Sequence, residues 1–515
     1  MPMAAPDPSA PRFDPQRRRA VTAALMLVTA LASFETTVVS TAMPTIIGDL
    51  GGLPLYAWVF AVYLLTSTVA MPVYGRLADI YGRRRLILTA IAVFLAGAIV
   101  CASARSMPQL IAARAIQGLG AAGLIPVALT VVADLYSLEE RARIQGLFSG
   151  IWGFASLVGP LLGAFLTVHF GWRSIFTINI PLGILAFILV GVRMRESRSP
   201  RPDPVDVAGA ATLALGITLL LFSVLRAPGT SGAGLAIRVL LAAAGGASLA
   251  VFARLQAKRR HPLVPPELFR HWDTASPYLA GIILGTTIFG IDTFVPLFVQ
   301  GARGGTAGAA GAVITPLVFF WAVSATVAGR LILRFGFRRT ARFGAVLVLV
   351  GLAGLVAAAL ANAGVAWASA ACAVVGAGLG PSSMSQVLAI QHVVPERHRG
   401  VSTSLVPFFR TAGGSLGVGA LGGVFTAGAA ARLGGNLEVA SRLLAGAHGA
   451  EEAKAAGIAP ELFRVAIERS LLPVFAVILG LAVVNLFFSA RFPESPTGKE
   501  DEPSTPDALA PPLTS

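Results

Sequence analysis

The sequence predicts an all-α polytopic membrane protein: two pseudo-symmetric six-helix bundles plus two inserted helices, fourteen transmembrane helices in all. Three observations lead there. Charged residues make up 13% of the 515 and hydrophobic residues 55%, where a soluble domain carries about 25% charged residues. Mean hydropathy is +0.75. Basic residues are gathered into short blocks in alternate intervals between apolar runs, and one such block recurs with its flanking runs.

The net charge of +15 would suggest nucleic acid in a soluble protein. Here the arginines follow the positive-inside pattern of membrane topology, and no nucleic-acid partner is expected. Cys101 and Cys372 lie in different apolar runs and form no metal-ligand pattern, so both read as free buried thiols.

Taken in order, residues 1–19 form a Pro-rich segment expected to be disordered and cytoplasmic. The apolar run after Arg17–Arg19 is too long for a signal-peptide core and reads as an uncleaved first span. An N-terminal bundle over 20–192 holds spans at 20–44, 56–74, 86–104, 108–133, 144–166 and 172–192. A linker at 193–204 leads to the inserted spans, 205–225 and 235–255, with Asp206 placed to cap the first of them. A second linker follows at 256–274. The C-terminal bundle over 275–490 holds spans at 275–299, 306–328, 341–361, 365–393, 401–427 and 471–490, with a polar outer insert at 428–470. The tail, 491–515, is Pro-rich and expected to be disordered and cytoplasmic. An even number of spans puts both termini on one side, and the arginine blocks make that side the cytoplasm, across a cytoplasmic (inner) membrane.

The repeat supports two copies. Residues 75–85 and 329–339 match at six of eleven positions, 254 residues apart. Arg141-Ala142-Arg143 and Arg397-His398-Arg399 align at nearly the same offset. Two similar halves around a midplane site are the build of alternating-access transporters.

Charges inside apolar spans are the candidate functional residues. Glu35 lies about 24 Å along the first span from its basic end, at 1.5 Å per residue. Arg114 and Gln117 lie at a compatible depth in span 4, Asp292 toward the outer end of span 9, and Arg410 within span 13. Glu35, Arg114 and Asp292 are candidates for proton coupling. Glu35, Gln117, Phe289, Asp292, Phe294 and Arg410 are candidates for lining a substrate cavity, where an acid among aromatic rings suits a lipophilic cation. The plainer readings are a static ion pair for Glu35–Arg114, an interfacial acid for Asp292 and core or lipid contacts for the phenylalanines. Gly159, Pro160 and Gly163 remove bulk and a backbone donor in span 5, which suits either a pivot between the halves or ordinary small-residue packing.

These motifs together resemble the major facilitator superfamily, and within it the fourteen-helix drug:proton antiporter branch of EmrB/QacA-like exporters. The resemblance covers nearly all of 17–490. Gly75 to Arg85 is similar to the superfamily's loop motif, which implies a gating role for Gly75, Asp79, Gly82, Arg83 and Arg84. Arg114-Ala115-Ile116-Gln117-Gly118 resembles the motif linked to proton coupling. Gly150 through Gly159-Pro160-Leu161-Leu162-Gly163 resembles the antiporter motif, although Ala164 stands where a second glycine is usual. Glu35 to Pro44 is similar to the branch's first-helix signature, where Asp is usual at the acidic position. Gly171-Trp172-Arg173, Asn179-Ile180-Pro181-Leu182-Gly183 and Pro262-Leu263-Val264 are also branch-like. Span 10 lacks an acid and span 13 carries Arg410, which does not favour divalent cationic drugs.

The resemblance implies a monomeric, non-enzymatic antiporter in the lipid bilayer, exporting lipophilic drugs or toxic compounds, organic cations among them, in exchange for protons. Such an activity belongs to antibiotic resistance. No cofactor is expected beyond the proton gradient, because no phosphate-loop motif is present. A lipid or endogenous-metabolite exporter of the same fold is the alternative. An intramembrane serine hydrolase, suggested by Gly413-Gly414-Ser415-Leu416-Gly417, is a remote one.

Overall fold

The computed structural model describes residues 15–136, 138–194, 206–225, 232–259, 262–264, 266–361, 363–394, 396–433 and 460–494. The N-terminal bundle comprises α1 (Pro15–Leu50), α2 (Tyr56–Tyr81), α3 (Arg83–Ala102), α4 (Met107–Leu135), α5 (Leu138–Phe170) and α6 (Asn179–Arg193). The inserted pair is α7 (Val207–Leu225) and α8 (Gly232–Lys258). The C-terminal bundle opens with α9 (Trp272–Leu297). A continuous stretch, Ala307–Leu360, then changes direction at Gly336 and divides there into α10 (307–335) and α11 (337–360). α12 (Val365–Val393), α13 (Glu396–Arg432) and α14 (Pro460–Ser489) complete it.

Helices satisfy every backbone donor and acceptor within the segment, which is the condition for crossing hydrocarbon. Among the described residues, ten helices are long and apolar enough to do so, or eleven if the two pieces of α1, bent by 41° between Glu35 and Val38, count as one. The Ala307–Leu360 stretch supplies two crossings from one of those ten. α5 and α7 contribute shorter apolar segments, Val158–Phe170 and Ala208–Ser223.

The repeated loops adopt the same local geometry. Gly82 stands at φ 96° between α2 and α3, and its counterpart Gly336 at φ 79° between α10 and α11. With ψ of 145° and 172° both lie in the extended positive-φ region that is essentially confined to glycine, where an L side chain costs about 1–3 kcal/mol, so glycine lets each helix pair reverse at the arginine-rich end without a loop. Gly82→Ala and Gly336→Ala are each expected to lower stability by about 1–3 kcal/mol, read as a fall in the unfolding temperature of the detergent-purified protein. An unchanged unfolding temperature would remove the geometric reason for the shared glycine.

The arginine-rich side, where α1 begins and α14 ends, is here called the basic end, and the opposite side the far end. α1 packs on α5 and α6, α2 and α3 on α4, α9 on α13 and α14, and the α10–α11 pair on α12. Across the halves, α2 meets α13, α5 meets α10 and α1 meets α9. The apolar cores follow this plan. One large cluster joins both halves toward the far end, through Val38, Met43, Tyr56 and Phe60 on one side and Phe294, Phe298, Leu421 and Phe425 on the other. Toward the basic end each half keeps its own cluster, around Leu25, Ile87 and Phe94 or around Ile332, Ala341 and Phe492.

The inserted pair leans on the α2–α13 seam through α7, with Trp58 and Phe222 edge to face at 4.8 Å. Asp206 caps α7, accepting from the Gly209 amide at 3.0 Å. It also receives Gln256 Nε2 at 2.7 Å. Gln256 Oε1 in turn accepts from the Leu263 amide at 2.5 Å, so the Pro262-Leu263-Val264 motif is tied to the end of α8.

Some helix limits differ from the sequence expectation. α1 starts at Pro15, inside the segment expected to be disordered, because Arg17 Nε donates to the Arg193 carbonyl at 2.8 Å and Arg18 lies 4.7 Å over the Tyr136 ring. α13 continues to Arg432 and α14 begins at Pro460, each taking residues from the expected outer insert. Phe463, Ala466 and Ile467 bury one face of that added stretch of α14. The rest of the insert at 434–459, the first linker from 195, the N-terminal residues 1–14 and the tail from 495 lie outside the described residues.

Candidate proton and substrate site

Glu35 and Arg114 come together in the N-terminal bundle, each 1% exposed. α1 carries Glu35 to a point just before its bend, and α4 runs antiparallel, bringing Arg114 to the same depth. Arg114 Nη1 donates to Glu35 Oε1. The second carboxylate oxygen accepts from Asn179 Nδ2 of α6 at 2.6 Å. Arg114 Nη1 also donates to Gln117 Oε1 at 2.7 Å, and its guanidinium lies 4.1 Å from the Tyr63 ring centroid. A buried charge is tolerated only when paired and hydrogen-bonded, and this pair is both. A cavity of about 40 Å³ adjoins Glu35, bounded by Phe34, Val38, Leu162, Ile175 and Asn179 among others. It has room for a water-sized guest beside the carboxylate.

Asp292 belongs to a different arrangement. Ser40 Oγ, on α1, donates to Asp292 Oδ1 of α9 at 3.1 Å. Three further hydrogen bonds join the halves in the same region: Tyr56 Oη donates to the Thr293 carbonyl. Gln300 Nε2 donates to the Thr41 carbonyl at 3.1 Å. Ser415 Oγ donates to the Ala61 carbonyl at 3.1 Å. With the shared apolar cluster, they close the seam at the far end.

The structure corrects one cavity assignment. Phe294 is fully buried, 5.9 Å from Tyr56 and 6.1 Å from Phe425, and belongs to the far-end seal rather than to a cavity wall. An aromatic ring in an apolar span has the same sequence signature in either place. Phe289 is half-buried and packs against both the shared cluster and the N-terminal cluster, so it stands at the interface of the halves. Arg410, on α13, is also half-buried, and its Nε has no partner.

Of the residues read as gating, Gly163 lies against α1: a Cβ there would fall 2.6 Å from the Val38 carbonyl oxygen. Gly159 and Pro160 are buried, and the Pro160 carbonyl oxygen lies 2.7 Å from where Gly311 of α10 would carry a Cβ. That contact crosses the halves. Arg84 Nη2 donates to the Gly191 carbonyl and ties α3 to α6, and Arg83 stands beside it in the first turn of α3. Gly75 and Asp79 occupy the last turns of α2, and their side-chain surroundings lie outside the described residues.

Sequence reasoning missed Asn179, Tyr63, Ser40, Tyr56, Gln300 and Gly311 as site or seam residues. Asn179 had one signal, an amide at the head of an apolar span. Ser415 lies within a helix rather than at a strand–turn–helix elbow, and its hydroxyl is engaged with the opposite half.

The sequence model of the Major Facilitator Superfamily matches residues 25–418. The multidrug transporter protein MdtP of Bacillus subtilis (strain 168) is 32% identical over 412 residues, covering 80% of this chain and 76% of its own. Multidrug resistance protein 3 of the same organism is 31% identical, covering 78% of each chain. The efflux pump dotC of Dothistroma septosporum is 30% identical over 77% of this chain and 69% of its own. Among solved structures, a bacterial homolog of the human lysosomal transporter Spinster, in an inward-facing and unoccupied conformation, superposes with a TM-score of 0.67 over 93% of this chain and 98% of its own. At 20% identity that likeness concerns the fold.

Proposed function

The chain belongs to the Major Facilitator Superfamily, a family of transport proteins and not of enzymes, and from that premise we propose that it exports lipophilic, drug-like compounds in exchange for protons. The relatives named as multidrug transporters and efflux pumps support the substrate class. The observation that carries the coupling is the buried Glu35–Arg114 pair, whose Glu35 shares α1 with Ser40 and Thr41 of the far-end seam.

α1 links the two. Its first segment holds Glu35 against α4 and α6, and beyond the 41° bend its second segment presents Ser40 and Thr41 to α9 and Gln300. Ionised Glu35 is held by Arg114 and Asn179. Binding a proton removes the charge that Arg114 faces and turns one carboxylate oxygen from acceptor to donor. Arg114 keeps Gln117 and the Val59 carbonyl, at 3.4 Å, as partners. The two protonation states therefore favour different settings of α1 against α4, which is the differential interaction a proton needs to shift a conformational equilibrium. With α1 reset, the bonds from Ser40 and Thr41 are the ones released, and the far end opens.

In this reading Asp292, Phe289 and Arg410 face the substrate path, both termini are cytoplasmic, the membrane is the cytoplasmic one and the monomer is the working unit. Reporter fusions after Arg85, Arg260 and Ser515 should read inside, and one within 434–459 should read outside; an inside signal there would contradict the topology. Dye uptake into everted vesicles, with an imposed pH gradient, tests the function. Uptake that follows the gradient and stops when it is collapsed is expected. Uptake indifferent to the gradient would refute proton exchange.

A further inference from the structure

Two polar groups in the C-terminal bundle have no use in the coupling scheme. Arg410 sits within α13, and no ion pair among the described residues includes it. Its Nε is buried and makes no hydrogen bond. Gln386, on α12, is 1% exposed, and its Oε1 also lacks a partner. Buried polar atoms are almost always satisfied, and an unpaired charge inside a span is costly, so a donor and an acceptor left open together call for a ligand.

Both flank one stripe of α9. A Cβ on Gly285 would fall 1.8 Å from the Arg410 carbonyl oxygen, so α9 and α13 touch backbone to backbone there. One turn toward the basic end, the flank of Gly281 is looser. A Cβ there would have Gln386 Oε1 at 3.8 Å and Phe409 Cβ at 4.0 Å as nearest neighbours. The stripe packs on α12 and α13 of its own bundle, and Phe289, one turn beyond Gly285, reaches the other half. Gly414, one turn beyond Arg410 on α13, abuts the Phe289 ring, which packs against the N-terminal cluster. Ser415 beside it marks where α13 bonds to α2. Arg410 thus lies one turn on the basic-end side of the seam. Pro407, a turn further toward the basic end on the same face, is exposed.

We propose that Arg410 and Gln386 form a head-group subsite for lipophilic substrates bearing a carboxylate, with Arg410 donating to the carboxylate and Gln386 Oε1 accepting from a donor on the substrate; this rests on the exporter reading above. Guanidinium is the side chain best matched to a planar anion, through paired N–H donors. Phe289 and Phe409 supply apolar surface for the rest of the molecule. Asp292 lies two turns beyond Gly285 toward the far end on α9 and can meet a cationic substituent, so zwitterions fit the pair of charges as well as simple acids do. A lipophilic cation without an acid would leave Arg410 unpaired.

The test uses rhodamine B and its ethyl ester, which differ only in whether the carboxylate is free, bound to the full-length protein in detergent and followed by fluorescence anisotropy. The native protein should bind the acid about tenfold more tightly than the ester, the value of one charge-assisted contact. Arg410→Gln should abolish that preference while ester binding persists, Arg410→Lys should keep part of it, and Gln386→Ala should leave it unchanged, because neither dye carries a donor for Gln386 Oε1. A native protein that prefers the ester, or a preference that survives Arg410→Gln, would overturn the subsite. The native acid-to-ester ratio needs no variant, so it stands even where a substitution fails to fold. Because binding is read without a gradient, failure of proton-driven transport would count against the exporter reading and not against this one.

Discussion

Glu35→Gln is expected to abolish pH-gradient-driven transport at matched expression, leaving only the uptake seen with the gradient collapsed. The amide keeps the size of the carboxyl group and can still accept from Arg114, but it cannot bind and release a proton. The fold should therefore survive while the drive is lost. Glu35→Asp should retain a fraction of the rate, because it keeps the titratable group but shortens its reach to Arg114 and Asn179. Dye uptake into everted vesicles reports both, and full gradient dependence in Glu35→Gln would make Glu35 structural and turn attention to Asp292.

Arg114→Ala should have the largest effect on stability. It leaves the Glu35 carboxylate buried at 1% exposure with Asn179 as its remaining close partner. Removing one member of a buried ion pair costs about 3–5 kcal/mol. The loss should be much smaller in the Arg114→Ala/Glu35→Gln double variant, since no charge is then stranded, and the shortfall from additivity measures the coupling. Arg114→Lys should fall between. A lysine keeps the charge and its donors but cannot stack as a plane on Tyr63 while it reaches Glu35 and Gln117. Unfolding temperatures in detergent check the series, and equal losses in the single and double variants would show that the pair is not coupled.

Charge made part of the site legible in sequence, and neutral polarity hid the rest. Glu35, Arg114 and Asp292 stand out because an ionised side chain in an apolar run is costly wherever the helices lie. Their depths could be counted from the helical rise, and the structure places Glu35 and Arg114 together. Ser40, Tyr56, Gln300 and Ser415 carry no such signal. A serine in a helix usually returns its hydroxyl to its own backbone, as Ser33 does to Thr29 at 2.7 Å. Whether it instead reaches another helix depends on a crossing that no local pattern encodes. The fold followed the same division. The repeat around Gly82 and Gly336 announced two copies, and both glycines adopt the positive φ that explains their recurrence. The packing of α7 on the α2–α13 seam, and Gly311 against Pro160, came from tertiary contacts alone. Phe294 went the wrong way because rings in a seal and rings in a cavity share one sequence pattern.

The coupling claim is tested most directly with purified protein in liposomes, by recording internal pH while a substrate gradient is imposed in the absence of any starting pH difference. If Glu35 exchanges a proton for each transport cycle, substrate moving down its gradient should drive protons the opposite way, and Glu35→Gln should show substrate binding with no pH change. Substrate flux that proceeds at full rate without proton counterflow, or counterflow that persists in Glu35→Gln, would contradict the account.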